Sequence, residues 1–174
     1  MSDTAVKPES SLPFKYPIYN VVLVAPEIPQ NTGNIGRICV CAGCRLHLVK
    51  PLGFSFADKY LKRAGMDYWR NVDCHVHENW EALLKAADGA PIHFYSTKGF
   101  PDYWSCPMEE GSFLVFGSEG WGLPRELHER YDGSFYTIPM PGPYERSLNL
   151  ANSVGIVVYE GLRRKMAPPG KGAP

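Results

Sequence analysis

The chain has 174 residues, 44% of them hydrophobic, and 18 basic against 18 acidic side chains, for a formal net charge of zero. That is enough apolar material for one core and too little length for two comfortable domains, and the neutral balance excludes a global basic imprint, so any nucleic-acid footprint has to be local. Five cysteines, no signal-peptide pattern and no run of about 18 apolar residues point to a reduced, cytoplasmic, soluble protein with no membrane partner.

Residues 1–16 carry no sustained periodicity and read as a flexible leader, residues 17–166 as a single domain, and the Pro- and Gly-rich residues 167–174 as a flexible tail. Along the domain, a strand is predicted at 19–25, a helix at 34–42 and a strand at 45–49. A helix at 58–64, a strand at 71–76, a helix at 79–87 and strands at 92–96 and 113–116 follow. A helix at 124–131, a strand at 134–138 and a helix at 148–165 close the domain. Strands separated by helices predict an α/β fold with a mainly parallel sheet flanked by helices, and in such sheets ligands bind at the carboxyl ends of the strands. Chemistry is therefore expected in the loops that follow strands.

Three loops qualify. Residues 26–37, PEIPQNTGNIGR, run from the first strand into the first helix. Two prolines stiffen this loop, Gly33 permits close backbone approach, and Asn31, Thr32 or Asn34 can cap a helix start whose free N–H groups favour an anion. Arg37, one turn further, has the geometry to hold a phosphate with two hydrogen bonds; the alternative is a capped helix with a surface arginine. Residues 116–124, FGSEGWGLP, place three glycines in six residues after a buried strand. Their G-x-x-G-x-G order departs from the dinucleotide fingerprint and disfavours a nicotinamide site, while a plain tight turn before a helix stays open. Residues 138–153 join the last strand to the last helix; Ser147 or Asn149 can cap that helix, but capping does not require so long and proline-stiffened an approach.

Charge concentrates between residues 37 and 70, where Arg37, Arg45, Lys50, Lys59, Lys62, Arg63 and Arg70 face only Asp58 and Asp67, a local excess of five positive charges. Tyr60, Tyr68 and Trp69 interleave with the cations, a pattern that suits unstacked RNA bases as well as core packing.

Taken in order, PEIPQNTGNIGR, RLHLVKPLGF (45–54), KRAGMDYW (62–69), STKG (96–99), FGSEGWGLP, IPM (138–140) and RSLNLANSVGIVVYE (146–160) resemble the tRNA (cytidine/uridine-34) 2′-O-methyltransferases, minimal members of the SPOUT class. The resemblance covers about residues 19–165. It implies a deep carboxyl-terminal trefoil knot, a rare exception to unknotted topology, together with a homodimer, S-adenosylmethionine as methyl donor and a tRNA anticodon loop as substrate. Carried over by motif, the cofactor contacts are Tyr95, Ser96, Thr97, Gly117, Glu119, Ile138, Met140, Ser147, Leu148 and Asn149. The resemblance assigns Arg37 and Asn34 to the catalytic step and gives Asn149 a further part in shaping the site. Arg37, Lys62, Arg63 and Tyr159 are expected on the substrate side. Two departures stand out: Trp121 occupies a position where many relatives have an arginine or similar polar residue, and the segment 141–145 reads one residue longer than usual. An isolated arginine stays protonated in proteins, so Arg37 is read as holding the phosphate beside the target ribose, with an RNA phosphate or water taking the proton.

Other signals carry less. Cys39 and Cys41 point roughly 200° apart on a helix and cannot share a metal with Cys44, and no metal site is expected. His75 and His77 share a strand face without further ligands nearby. The apolar positions Leu148, Ala151, Val154, Val158 and Leu162 need only core or dimer packing. The competing readings are a non-catalytic RNA-binding module with this fold and a 2′-O-methyltransferase of another tRNA or rRNA position.

Overall fold

The structure, a computed structural model, describes residues 13–55, 69–98, 100–143 and 146–167. Its first strand, β1 (Asn20–Val24), is buried throughout and rich in β-branched residues, as expected of a strand covered on both faces. There follow α1 (Pro29–Ala42), β2 (Arg45–Val49), a 3-10 turn at Trp69–Asn71, β3 (Cys74–His77), α2 (Trp80–Ala87) and β4 (Ile92–Tyr95). A second 3-10 turn (Tyr103–Ser105), β5 (Phe113–Phe116), α3 (Arg125–Arg130), β6 (Phe135–Tyr136) and α4 (Leu150–Met166) complete the order. The strands form one six-stranded sheet, β3-β2-β1-β5-β4-β6, in which every neighbouring pair is parallel. The helix expected at 58–64 lies outside the described residues.

Period-two alternation sorts the strands onto two cores. Val21, Leu23, Leu46, Leu48, Leu114 and Phe116 face α1 and α4, where Ile35, Cys39, Ala151, Val154 and Val158 meet them. Val22, Val24, Val49, Phe94 and Val115 face the other way, toward Leu83 of α2 and Leu127 of α3. The stripe Ala151, Val154, Val158 and Leu162 is thus consumed within the chain's own core, whereas Leu148 precedes the helix and is exposed. Cys39 is buried and Cys41 exposed on α1, consistent with their opposite directions.

Helix α1 begins at Pro29, five residues before the expected start. Proline at the first helical position has a suitable φ and no N–H to leave unpaired, but the residue before the helix, Ile28, supplies no side-chain cap. A carboxylate from the loop after the neighbouring strand β5 holds the approach to the helix instead. Glu119, in the loop after β5, accepts the backbone N–H of Glu27 (2.8 Å), that of Ile28 (3.3 Å) and the side-chain amide of Asn31 (2.9 Å). The tie is reciprocal, because Glu27 Oε2 accepts the backbone N–H of Gly120 at 2.8 Å. Asn31 and Thr32, expected as loop or cap residues, are consequently buried within the first turn of the helix.

The second face also holds a polar seam. His47 on β2 is buried, with Nε2 3.1 Å from Asn20 Oδ1 and Nδ1 2.8 Å from His77 Nε2. Asn20 can only accept there through its carbonyl, so a neutral His47 donates to Asn20 and accepts from His77. His75 stacks on His47 at 5.5 Å and pairs with Asp73, which also accepts from Arg45 and from the Tyr16 hydroxyl. His47 also lies against the His77 ring at 5.1 Å, brought beside both histidines by the β2–β3 register. Among the described residues, no group of three or more histidine, cysteine or carboxylate side chains could hold a metal.

Two outcomes are expected from these contacts. Glu119→Gln places an amide N–H where a donor already points, so unfolding stability should fall by about 1–3 kcal/mol; an unchanged Tm would show that the reciprocal cap contributes nothing. Burial, with the neighbouring imidazoles second, lowers the pKa of His47 from 6.5 to about 3. Above pH 6.5 both folded and unfolded states are neutral; below it the unfolded chain takes a proton that the folded chain refuses, so stability falls with pH until about 3. Between pH 7 and 5 this loss is about 2 kcal/mol. His47→Gln should flatten the Tm profile over that interval, and an unaltered slope would assign the acid sensitivity elsewhere.

Candidate active site

The carboxyl ends of β4, β5 and β6 open on one cavity of about 530 Å³. Its wall is built from the three loops singled out in the sequence together with the end of β4. Tyr95, Ser96 and Thr97 come from the end of β4, Gly117 to Leu123 from the turn after β5, and Ile138, Met140 and residues 147–150 from the approach to α4. Ile28 and Asn31 at the start of α1 close one side. All ten residues expected to contact a cofactor therefore line a single cavity.

Local geometry explains why this sequence makes it. Ser118 and Gly122 exchange backbone hydrogen bonds of 3.1 and 3.0 Å, pinching the turn after β5 into a closed loop. A Cβ on Gly117 would stand 2.1 Å from the carbonyl carbon of Gly122, so only glycine permits the pinch. Asn149 caps α4, its Oδ1 accepting the N–H groups of Ala151 (2.9 Å) and Asn152 (3.4 Å). Its other end donates to Asn31 Oδ1 at 2.9 Å. The cap expected of Asn149 is therefore also a tie, and Glu119, Asn31 and Asn149 form one hydrogen-bonded chain through all three loops.

The wall is chemically mixed. Phe116, Leu123, Ile138, Met140 and Leu148 offer apolar surface, while Ser96, Thr97, Ser147 and Ser153 offer hydroxyls. Such a mixture suits a molecule with an aromatic ring, a sugar and a charged tail. Tyr95 takes part chiefly through its backbone, because its ring stacks on Phe116 at 4.9 Å and its hydroxyl donates to Cys106 Sγ at 3.3 Å. Burial pushes that phenol well above its ordinary pKa, which removes it as a base. Glu119 is the sole carboxylate on the wall among the described residues, and both its oxygens already accept N–H groups.

Other expected residues lie apart. Asn34 and Arg37 are exposed on α1, one turn from each other, and neither lines the cavity; Tyr159 is half-exposed on α4. Lys62 and Arg63, with Lys59, Tyr60 and Tyr68, fall outside the described residues. The basic stretch is less available to phosphate than its count suggests, because Arg45 is paired with Asp73 at 2.7 Å and Lys50 with Glu78 at 2.6 Å. Trp69 packs on α1, where a Cβ on Gly36 would meet its ring at 2.6 Å, so it serves the core side of the alternative drawn for it. Sequence reasoning did not assign Glu27 and Asn31 to the site; a proline-led, polar helix start was their only local signal. No helix among the described residues is long and apolar enough to cross a membrane.

Comparison with known proteins gives this geometry a lineage. A tRNA (cytidine(34)-2′-O)-methyltransferase of Methylovorus glucosotrophus is 47% identical over 148 residues, spanning 84% of this chain and 96% of that protein. A solved structure concerned with 2-OH methylation of C/U34 on tRNA superposes with a TM-score of 0.81 at 43% identity, covering 86% of this chain and 97% of that one. An AdoMet-bound rRNA methyltransferase from Sinorhizobium meliloti matches with a TM-score of 0.74 at 27% identity, over 88% of this chain and 59% of the other. The SpoU rRNA Methylase family matches residues 19–159, and the chain belongs to that family.

Proposed function

We infer that this chain transfers a methyl group from S-adenosylmethionine to the ribose 2′-hydroxyl of nucleotide 34 in tRNA. The observation that carries this reading is the single cavity at the strand ends, lined by every residue that the motif resemblance assigns to the cofactor. Relatives that share 47% and 46% of their residues with this chain, over nearly their whole length, are named for that reaction. The cofactor, when bound, supplies a methyl on a sulfonium centre that leaves as a neutral thioether. Its fit is supported by the mixed wall and by Gly117, whose missing side chain lets the backbone close around a ligand.

The chain's own residues then have to align and deprotonate. In-line displacement gains most from holding the reacting atoms in register. Ser147, Leu148 and Asn149 fix the mouth of the cavity, and the Asn149–Asn31–Glu119 chain keeps that mouth in place relative to α1. Arg37, on α1, grips the phosphate beside the target ribose, and Asn34 one turn earlier helps shape the approach. With the only carboxylate on the wall among the described residues engaged, an RNA phosphate or water accepts the 2′-proton. Lys62, Arg63 and Tyr159 complete the tRNA-facing surface in this reading.

Because Asn34 and Arg37 stand off the cavity of their own chain, the reading includes a homodimer in which a second copy closes the site. The chain's return from β6 at one edge of the sheet to α4 against α1 is the path we assign to the trefoil knot. A tRNA-modifying enzyme of this kind is placed in the cytoplasm.

Purified protein, tRNA and S-adenosylmethionine should yield 2′-O-methylated nucleotide 34 on mass-spectrometric mapping; an unmodified wobble ribose with methylation elsewhere would move the enzyme to another position. Calorimetry should show S-adenosylmethionine binding, and its absence would end the methyltransferase reading. Arg37→Lys keeps the charge but loses the bidentate grip, so kcat should fall about 100-fold with cofactor affinity within about twofold. Near-normal turnover of that variant would remove Arg37 from the catalytic step.

A further inference from the structure

A second cavity, of about 570 Å³, adjoins the first and shares Lys98, Ser118, Trp121, Gly122 and Leu123 with it. The two hollows are thus separated by little more than the pinched turn after β5. Trp121, at the tip of that turn, is 87% exposed. An indole left this far in water forgoes a large apolar burial, and a large aromatic surface kept in solvent commonly marks a contact site. Its backbone is nonetheless fixed: the Ser118–Gly122 pair pinches the turn, Gly120 N–H is held by Glu27, and Trp121 N–H donates to Ser118 Oγ at 3.2 Å. The turn therefore presents the ring from a set position at the border of both cavities.

We propose that the second cavity seats the base of the nucleotide being methylated, with Trp121 as the surface on which that base stacks. This rests on the function inferred above and adds the recognition of the acceptor to it. Methyl transfer brings the 2′-oxygen to the mouth of the first cavity, and the base of the same nucleotide then lies one sugar away, on the side where the second cavity adjoins across shared lining residues. Ala25, Pro51 and Leu52, at the ends of β1 and β2, give that hollow an apolar floor suited to a flat heterocycle. Lys98, Arg125 and Glu27 all stand on its wall, so the polyanionic backbone is drawn to the two cations and repelled by the carboxylate. Arg125 is partly committed, pairing with Glu129 at 2.6 Å, which leaves Lys98, common to both cavities, as the main cation of this hollow, in addition to the Arg37 grip. Stacking on an aromatic face tolerates different bases, so the seat accepts either pyrimidine.

The test uses the full chain, intact tRNA and tRNA whose nucleotide 34 carries hydrogen in place of its base but keeps the 2′-hydroxyl. Trp121→Ala should raise the KM for intact tRNA about tenfold. It should leave the calorimetric Kd for S-adenosylmethionine within about twofold and the sedimentation coefficient unchanged, and Trp121→Tyr should restore KM to within about threefold. The baseless tRNA should penalise the wild type as strongly as Trp121→Ala does and penalise the variant no further. Penalties that multiply, or a variant KM within twofold of wild type, would overturn the seat. Loss of cofactor binding would make Trp121 a cover of the first cavity, and loss of self-association would make it a contact between copies; either result overturns the proposal. Failure of the wild type to methylate nucleotide 34 sinks the functional reading itself, whereas normal wild-type methylation with multiplying penalties sinks only the base seat.

Discussion

Three N–H groups at the entrance to α1 converge on the carboxylate of Glu119, and the arrangement of the site follows from that convergence. A helix start leaves several donors unpaired, and here the local sequence offers proline and isoleucine in place of a capping side chain. The carboxylate that holds the approach to the helix belongs to the turn after β5, so the entrance of α1 is tied to the strand beside β1. The same contact fixes the turn after β5 from the other direction, since Glu27 holds Gly120. Helix and turn each complete the other, and the cavity is the space this mutual constraint leaves at the strand ends.

Asn31 and Asn149 extend the constraint to the third loop. Asn149 uses its oxygen to cap α4 and its amide nitrogen to reach Asn31, whose own nitrogen reaches Glu119. Every polar atom in this relay has a structural task, and that bears on the chemistry. A carboxylate with both oxygens accepting N–H groups is poorly placed to take a proton from a ribose hydroxyl, and the Tyr95 phenol is held in its protonated form by burial. The wall is organised to position and to exclude, which agrees with a reaction whose main requirement is alignment.

Much of this could be read from the chain, and what could not shares one cause. Parallel strands, the glycine turn at 117–122 and the capping role of Asn149 are signalled by neighbours within a few residues, and each was legible as buried runs, close glycines or a polar residue at a helix start. The true start of α1 was not, because Asn31 and its partner Glu119 are 88 residues apart and Asn31 and Asn149 are 118 apart. Without those partners, Asn31 and Thr32 look like loop residues. His47 and His77 illustrate the same point: their hydrogen bond depends on the β2–β3 register, which no local pattern fixes. Trp69 was equally ambiguous among its cations until Gly36, far earlier in the chain, was found beneath its ring.

The charge count shows how such pairing alters a functional argument. Five excess positive charges between residues 37 and 70 suggest a continuous phosphate track, but two of its seven cations are spent on Asp73 and Glu78. Exposed ion pairs are worth little for stability, yet each neutralises a cation that would otherwise release counterions on binding RNA. The electrostatic pull on tRNA is therefore weaker than the sequence count implies, and affinity has to draw on contacts that carry no charge. That places more of the recognition on aromatic surface, and Trp121, held in solvent by a pinched turn beside the cavity at the strand ends, is the described residue best situated to supply it.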